Sequence, residues 1–403
     1  MNKKAIAILG AIFLLIIGTL GFLVYSKYSG SSTPKTADVT PDANNQNAST
    51  TVDTGPDVSG NPDIQNPNPN AGSKFFRLTE SDQIISPVLF YNGNGITYLN
   101  SKGELIKSDF ETGLDGSVSL TRTRSLAIPL KSGIEKVLWP KNGDDFIAQI
   151  SGGGTAFSYF NFQAGNYTDL PKQVKAVEWL PGGDKILFIW VDTDVSGQEK
   201  ATLNMAKPDT TEYSQVAELY EADDAIHLSP DGLNLLFYRT QNTGSVNKII
   251  LTDPQGKVWK DLVATGFNYG VLWSPDSQKF IFAKKAPQAQ GYQLWYYDLY
   301  TGETKNLGIG GLPQKAVWGG DSRSVYVAAP KDETAIMDAS DLNSRFTTDK
   351  FYKIDTSTLE KVEYDPGSMN IDGRELFLNP GENKLFFKNA QDGGLYYLDL
   401  SGQ

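Results

Sequence analysis

The chain has 403 residues, a net charge of -11 and no cysteine. The negative charge argues against a nucleic-acid-binding protein, because affinity for the phosphate backbone comes from clustered Lys and Arg side chains. The lack of cysteine excludes disulfides, thiolate metal sites and a cysteine nucleophile. The 39 Gly and 20 Pro, with 20 Phe and 19 Tyr, favour an all-β protein with many turns.

The N-terminal residues predict a membrane anchor. Residues 5–25 form an uncharged apolar run, and a helix of about 20 such residues spans the hydrocarbon core of a bilayer. Lys3 and Lys4 precede the run, so the positive-inside rule leaves residues 1–4 as a cytoplasmic stub and sends the rest of the chain across. A cleaved signal peptide is the alternative, but no A-x-A-like site follows Tyr25. We therefore predict one transmembrane helix at residues 5–25.

Residues 26–73 are predicted to be a flexible linker. They are rich in Ser, Thr, Pro, Asn, Asp and Gly and contain few large aliphatic side chains. Such a segment buries too little apolar surface to offset the entropy lost on ordering. A docking motif within the segment is the alternative.

One pattern of short strands recurs from Lys74 to the last residues. An apolar residue that ends a strand is followed three residues later by a turn former, then by a second and a third apolar strand. Repeats of about 40 to 50 residues with four strands each are typical of propeller blades. The aligned apolar anchors are Phe90, Trp139, Trp179, Leu228, Trp273, Trp318 and Leu378. We therefore predict an all-β, seven-bladed β-propeller of four-stranded antiparallel blades.

The two ends of this region predict how the ring closes. The seventh repeat contains strands near residues 375–378, 384–388 and 395–400 and is one strand short. Residues 74–79 form a spare strand before the first repeat. Because closure of a ring removes exposed strand edges, we expect this strand to complete the last blade. The propeller is therefore predicted to be one domain over residues 74–403.

Two segments carry a family resemblance, LSPDG at Leu228–Gly232 and WSPDS at Trp273–Ser277. Each precedes an apolar strand, and together they resemble the TolB-type propeller repeat, a relative of the WD repeat that also occurs in prolyl oligopeptidases and dipeptidyl peptidases. The resemblance covers residues 74–403 and implies the fold, with Asp231 and Asp276 holding turns. TolB has six blades and a further N-terminal domain, so its partners are not carried over.

Few residues of the chain suggest catalysis. The sequence has no G-x-S-x-G elbow, and its one histidine, His227, is expected to be structural or to line the channel. Residues 192–197 imitate the opening of a calcium loop, but Leu203 stands where a bidentate Glu is needed, so we expect an acidic hairpin loop. Carboxylates in the propeller channel are the open route to catalysis, since two Asp or Glu side chains at a suitable separation cleave glycosides.

The sixth repeat carries a long insertion, residues 330–349. It is polar apart from Ile336, Met337 and Phe346. Loops of this length in compact domains are often functional or disordered, so the insertion is expected to cover a channel mouth, to contact a partner or to decorate the surface.

These observations favour a non-enzymatic scaffold in the cell envelope. The chain is expected to be a single-pass protein of the cell membrane with a cytoplasmic N-terminus and an extracytoplasmic propeller. It would bind an unidentified envelope or membrane protein, with no nucleic acid, metal or cofactor and no assigned site residues. The alternatives are a hydrolase or lyase acting on a glycan or peptide, and a ligand-sensing propeller. The enzyme alternative predicts converging Asp or Glu residues with raised pKa values in the channel.

Overall fold

The structure is a computed structural model. It describes residues 74–79, 83–90, 93–129, 131–151, 156–219, 225–238, 249–257, 259–263, 267–285, 291–332 and 345–401. The predicted cytoplasmic stub (1–4), transmembrane helix (5–25) and linker (26–73) lie outside these ranges. Within the described ranges, no helix is long and apolar enough to cross a membrane.

Strands account for most of the described residues. After β1 (Phe75–Arg77), consecutive strands form the first three blades. Blade 1 contains β2 (Ile84–Leu89), β3 (Gly95–Asn100), β4 (Glu104–Thr112) and β5 (Val118–Ala127). Blade 2 contains β6 (Ile134–Leu138), β7 (Phe146–Ile150), β8 (Ala156–Asn161) and β9 (Asn166–Asp169). Blade 3 contains β10 (Val174–Trp179), β11 (Ile186–Thr193), β12 (Glu199–Ala206) and β13 (Ser214–Leu219).

The remaining strands follow the same order. Blade 4 contains β14 (Ala225–Leu228), β15 (Leu235–Tyr238), β16 (Ile249–Thr252) and β17 (Trp259–Val263). Blade 5 contains β18 (Phe267–Trp273), β19 (Lys279–Lys285), β20 (Gln293–Asp298) and β21 (Thr304–Gly310). A short 3-10 helix (Pro313–Lys315) leads into blade 6, with β22 (Ala316–Trp318), β23 (Ser324–Pro330), β24 (Asp349–Asp355) and β25 (Lys361–Tyr364). Blade 7 contains β26 (Gly373–Leu378), β27 (Lys384–Asn389), β28 (Leu395–Asp399) and β1.

The predicted seven-bladed, all-β fold with four antiparallel strands in each blade is confirmed. The spare N-terminal strand also lies where the sequence predicts, because β1 pairs antiparallel with β28, with Phe75 opposite Leu398 and Arg77 opposite Tyr396. This pairing satisfies the edge of β28 and closes the ring.

Local turn chemistry positions each innermost strand. In blade 4, the Ser229 hydroxyl donates to the Asp231 carboxylate at 2.5 Å, and the same carboxylate accepts the N–H of Leu233 at 2.9 Å. Gly232 has φ +75°, a left-handed conformation that costs glycine little. The Ser274 and Asp276 side chains repeat the first contact at 2.6 Å. These turns hold the end of one strand and the start of the next.

The hydrophobic core lies between neighbouring blades. Residues of blade 5 such as Ile281 and Leu294 are fully buried against Val325 and Ile354 of blade 6. A single sheet cannot bury both of its faces, so the blades stack. Near the axis, tryptophan indole Nε1 groups donate to carbonyls of the preceding blade. The pairs are Trp139 with Ser86 (2.7 Å), Trp179 with Leu138 (2.9 Å), Trp273 with His227 (3.1 Å) and Trp318 with Leu272 (3.1 Å).

Candidate functional site

The innermost strands of the blades surround the propeller axis. They are β2, β6, β10, β14, β18, β22 and β26, and β2 contacts both β6 of blade 2 and β26 of blade 7. Side chains that project from these strands towards the axis line the central channel. Any ligand in the channel would therefore meet side chains from several blades.

Two ionisable residues occupy the same position on adjacent innermost strands. Glu178 of β10 directly precedes the anchor Trp179, and His227 of β14 directly precedes the anchor Leu228. β10 and β14 contact each other, and both side chains keep part of their surface accessible. Two adjacent blades thus present an acid and an imidazole at the same level of the channel wall.

Lys136 of β6 brings these residues together with a second carboxylate. Burial is the main cause of the pKa shifts of Glu178 in blade 3, His227 in blade 4 and Glu375 in blade 7, and the Lys136 charge acts on all three groups. Blades 4 and 7 stand on opposite sides of the ring, so a charge that acts on both lies close to the axis. We call Lys136, Glu178, His227 and Glu375 the channel site.

Burial controls protonation in the channel site. Desolvation raises the pKa of Glu178 to about 7, and the Lys136 charge opposes that rise. Desolvation also raises the pKa of Glu375, opposed by Lys388, Lys136, the Ser86 N–H and Arg374. For His227, desolvation lowers the pKa to about 4, so the imidazole is neutral at pH 7. Near neutral pH, Glu178 is therefore able to accept or donate a proton.

Glu375 is held by a strained contact between blades 1 and 7. Its φ is +53° and that of Ser86 on β2 is +48°, both unusual for residues other than glycine, and each lies in a β-bulge. The backbone N–H of Ser86 donates to the Glu375 carboxyl. The second carboxyl oxygen, Oε2, is buried and has no hydrogen-bond partner in the described part of the chain. Strain and an unsatisfied buried oxygen at one place are typical of a functional site.

Ser86 also connects this contact to blade 2. Its hydroxyl accepts the N–H of Val137, the residue after Lys136, at 2.9 Å, and its carbonyl accepts the indole N–H of Trp139 at 2.7 Å. Ser86 is buried. One residue therefore fixes Glu375 of blade 7 relative to the strand that carries Lys136.

The residues singled out from the sequence have mixed outcomes. His227 lies in the channel wall, and its Nε2 is 3.1 Å from the hydroxyl of Tyr238, with the two rings stacked. Residues 192 and 193 end β11, and residues 194–198 form the hairpin turn to β12, in which the Asp194 carboxylate accepts the N–H groups of Ser196 and Gln198. Among the described residues, no group of three or more His, Cys, Asp or Glu is placed to hold a metal ion.

The insertion is described at its two ends. Ile336 and Met337 lie outside the described residues, whereas the side chain of Phe346 is 66% exposed. The segment that follows Phe346 leads into a buried ionic cluster that sequence reasoning missed. In it, Lys315 Nζ lies 2.8 Å from Asp349, 2.5 Å from Asp372 and 2.8 Å from the Thr347 hydroxyl. Arg374 also lies 2.6 Å from Asp372, so two cations meet two carboxylates and the cluster anchors the insertion to blades 6 and 7.

A separate cavity of about 840 Å³ lies between blades 1 and 7. Phe110 and Arg122 line it on one side and Asn379 and Phe386 on the other. No residue of the channel site contributes to its lining. The cavity and the channel site are therefore separate places in the fold.

Sequence reasoning did not single out Lys136, Glu178 or Glu375. The available signal was a charged residue within a strand that is otherwise apolar, as in Val177-Glu178-Trp179. Alternation of apolar and polar residues predicts that a strand has one face in solvent, and it places such a charged residue on that face. Only the ring of blades shows that this face borders the channel.

These features define a seven-bladed β-propeller with four ionisable side chains converging on its channel. Solved structures of low sequence identity share the fold. Oligogalacturonate lyase in complex with manganese matches with a TM-score of 0.56 and 12% identity, covering 81% of this chain and 93% of that chain. Oligogalacturonate lyase from Vibrio parahaemolyticus has a TM-score of 0.56 and 9% identity, with the same coverage. Hydrazine synthase from Kuenenia stuttgartiensis has a TM-score of 0.54 and 9% identity, covering 81% and 98%.

At these identities the likeness shows the fold alone. No protein-family model and no curated protein matches the sequence. The TolB-type resemblance therefore stays a prediction, while the propeller fold that it implies is confirmed.

The prediction that the chain is not an enzyme is wrong. It relied on the lack of a catalytic motif and of a hydrolase domain, yet two structures with this fold are those of oligogalacturonate lyases, which are enzymes. The carboxyls of Glu178 and Glu375, with raised pKa values, also meet the condition set by the enzyme alternative. A propeller therefore needs no nucleophile elbow to be considered for catalysis.

Proposed function

We propose that the chain is an enzyme of the cell envelope that cleaves a glycan by acid–base chemistry in the propeller channel. The observation that carries this proposal is that burial raises the pKa values of Glu178 and Glu375 and that the charge of Lys136 acts on both carboxyls. The likeness to two structures named oligogalacturonate lyases supports a glycan over a peptide. The proposal replaces the scaffold favoured by the sequence.

Glu178 is the proposed proton-transfer residue. A group with a pKa of about 7 is present in both protonation states near neutral pH, which is what general acid–base catalysis requires. In hydrolysis, the protonated carboxyl gives its proton to the glycosidic oxygen as the C–O bond breaks. Water then adds to the sugar carbon, and the proton that this water loses returns to the carboxylate. In elimination, the ionised carboxylate takes a proton from a sugar carbon, a C=C bond forms, and the C–O bond breaks as the leaving oxygen takes a proton from water. Both routes use Glu178, and their products differ.

The proposal includes the membrane placement expected from the sequence. Residues 5–25 anchor the chain, residues 26–73 link it to the propeller, and residues 1–4 remain in the cytoplasm. The propeller then acts outside the cytoplasmic membrane. Added protease tests this placement, because in cells stripped of their outer layers it should remove the propeller and leave cytoplasmic proteins intact.

Cleavage of oligogalacturonate by the full-length protein in detergent tests the activity. New reducing ends report either reaction, and an ultraviolet-absorbing unsaturated product reports elimination alone. We expect Glu178→Gln to lower kcat by about 10²- to 10⁴-fold, because the amide cannot transfer the proton. Glu199→Gln, on an exposed position of β12 in the same blade, is the matched control and should leave the rate unchanged. If the wild-type protein cleaves neither this substrate nor other envelope glycans, the proposal is wrong.

A further inference from the structure

We infer that Glu375 and Lys136 form a subsite for a carboxylate group of the ligand, held in place by Ser86. The inference rests on the proposed function and names its substrate class, an acidic glycan. It assigns binding roles to two residues that the sequence pattern leaves unassigned.

The first observation is the free oxygen of Glu375. Oε2 is buried without a hydrogen-bond partner, and an unpaired buried polar atom costs about 1–3 kcal/mol unless a ligand satisfies it. The Ser86 N–H and the left-handed backbone at both residues hold this carboxyl in one orientation. The carboxyl is thus set in place before any ligand arrives.

The second observation is the uncommitted charge of Lys136. This lysine makes no hydrogen bond or ion pair with another described residue, although it acts electrostatically on three channel groups. Arg374, another cation near Glu375, is already paired with Asp372 at 2.6 Å. Lys136 is therefore available to a ligand.

The surroundings of Glu375 select an anion over a cation. The charges of Lys388 on β27, Lys136 on β6 and Arg374 on its own strand all act on its carboxyl, and the Ser86 N–H of β2 donates to it. These positive charges repel an ammonium ligand and attract a carboxylate. Burial favours the neutral form of Glu375, and in that form its carboxyl donates a hydrogen bond to the ligand carboxylate while Lys136 pairs with the ligand's charge.

Binding of trigalacturonate, compared with that of its methyl ester, tests the subsite. The two ligands share their sugars and differ in charge. Calorimetry on the full-length protein carrying Glu178→Gln prevents turnover and removes titration of Glu178 from the result. We expect the acid to bind about tenfold more tightly than the ester, an ordinary gain for one charge-assisted contact.

Two further substitutions separate the residues in that background. Lys136→Met should lower affinity for the acid about tenfold and leave the ester unchanged, whereas Lys141→Met, on the exposed turn after β6, should alter neither. Affinity for the acid should fall as pH rises, because the protonated form of Glu375 is the donor. Glu375→Gln keeps a donor that does not titrate, so it should retain binding and remove this pH dependence.

The outcomes distinguish the subsite from the proposed function. Equal affinity for acid and ester, no binding of either, or equal effects of Lys136→Met and Lys141→Met would overturn the subsite. Tight binding of the acid with no cleavage by the wild-type protein would support the subsite and contradict the proposed enzyme. Cleavage of neutral glycans with no preference for the acid would support the proposed enzyme and contradict the subsite.

Discussion

Glu178 and His227 occupy equivalent positions on adjacent strands, yet burial moves their pKa values in opposite directions. Desolvation disfavours the charged form of each, which is the deprotonated form of Glu178 and the protonated form of His227. The free energy of unfolding therefore depends on pH through both residues. Their contributions have opposite signs in overlapping pH ranges.

The sign for each residue follows from its folded and unfolded pKa values. The pKa of Glu178 rises from 4.5 to about 7 on folding. The stability that this residue contributes is therefore present below pH 4.5 and lost as pH rises through about 7. The pKa of His227 falls from 6.5 to about 4 on folding. Its contribution to stability is therefore present above pH 6.5 and lost as pH falls to about 4. In the wild-type protein, the loss of stability through Glu178 and the gain through His227 largely offset each other as pH rises from about 4 to 7.

We therefore predict that Glu178→Gln stabilises the protein at neutral and alkaline pH by about 1–3 kcal/mol, because it removes an ion that is costly to bury. The same variant should lose stability as pH falls below 6.5, since the opposing effect of His227 is then exposed. Urea unfolding of the full-length chain across this pH range measures both effects. Glu199→Gln is the control, and equal stability of the two variants at alkaline pH would contradict the prediction.

At the scale of the blade, the turns of blades 1 and 3 to 7 are joined to the turn of the preceding blade in one of two ways. In blades 5 to 7, a side chain in the left-handed conformation bonds to the preceding turn. The Ser277 hydroxyl accepts the N–H of Asp231 at 3.1 Å, and the Ser322 hydroxyl accepts that of Asp276 at 3.0 Å. In blades 1, 3 and 4, a glycine takes this position and packs on a proline of the preceding blade. These pairs are Gly93 with Pro380, Gly183 with Pro140 and Gly232 with Pro181.

Gly232→Ala tests the second way of joining turns. A Cβ at this position would lie 2.8 Å from Pro181 Cγ, and the backbone has φ +75°, so the substitution adds both a clash and backbone strain. Gly197→Ala is the matched control, because Gly197 has φ +83° and open space around it. We expect Gly232→Ala to cost about 1–2 kcal/mol more than Gly197→Ala in urea unfolding. Equal costs would show that the proline contact does not hold the blades together.

The sequence predicts these elements well and the channel site poorly. The anchors at Trp179, Leu228 and Trp273 and the turn formers after them are local signals, and the strands end where those signals stand. Lys136 and Glu375 lie far apart along the chain, and only ring closure brings blade 7 beside blade 1. The bulges at Ser86 and Glu375 carry no glycine to announce a left-handed residue. Their contact therefore could not be predicted from spacing or composition.

At the scale of the whole molecule, one short strand holds the ring closed. Phe75 of β1 is buried and packs on Phe351 of blade 6, with ring centroids 5.2 Å apart, and on Phe387 of blade 7 at 6.3 Å. Beside it, the N–H of Asp399 donates to the carbonyl of Lys74 at 2.7 Å. Closure also sets the channel site, because Glu375 on blade 7 meets Ser86 on blade 1 only when the ring is complete.

We therefore predict that Phe75→Ala weakens both stability and ligand binding. Loss of a buried phenylalanine costs about 3–5 kcal/mol, and a loosened blade 7 would separate Glu375 from Ser86. Phe76→Ala is the control, because Phe76 is half-buried on the opposite face of the same strand, stacked on Tyr397 with centroids 4.9 Å apart. Urea unfolding followed by tryptophan fluorescence and by circular dichroism measures the cost. Equal losses in the two variants would contradict the role of Phe75, since they would place the stabilisation in strand pairing rather than in the packing between blades 6 and 7.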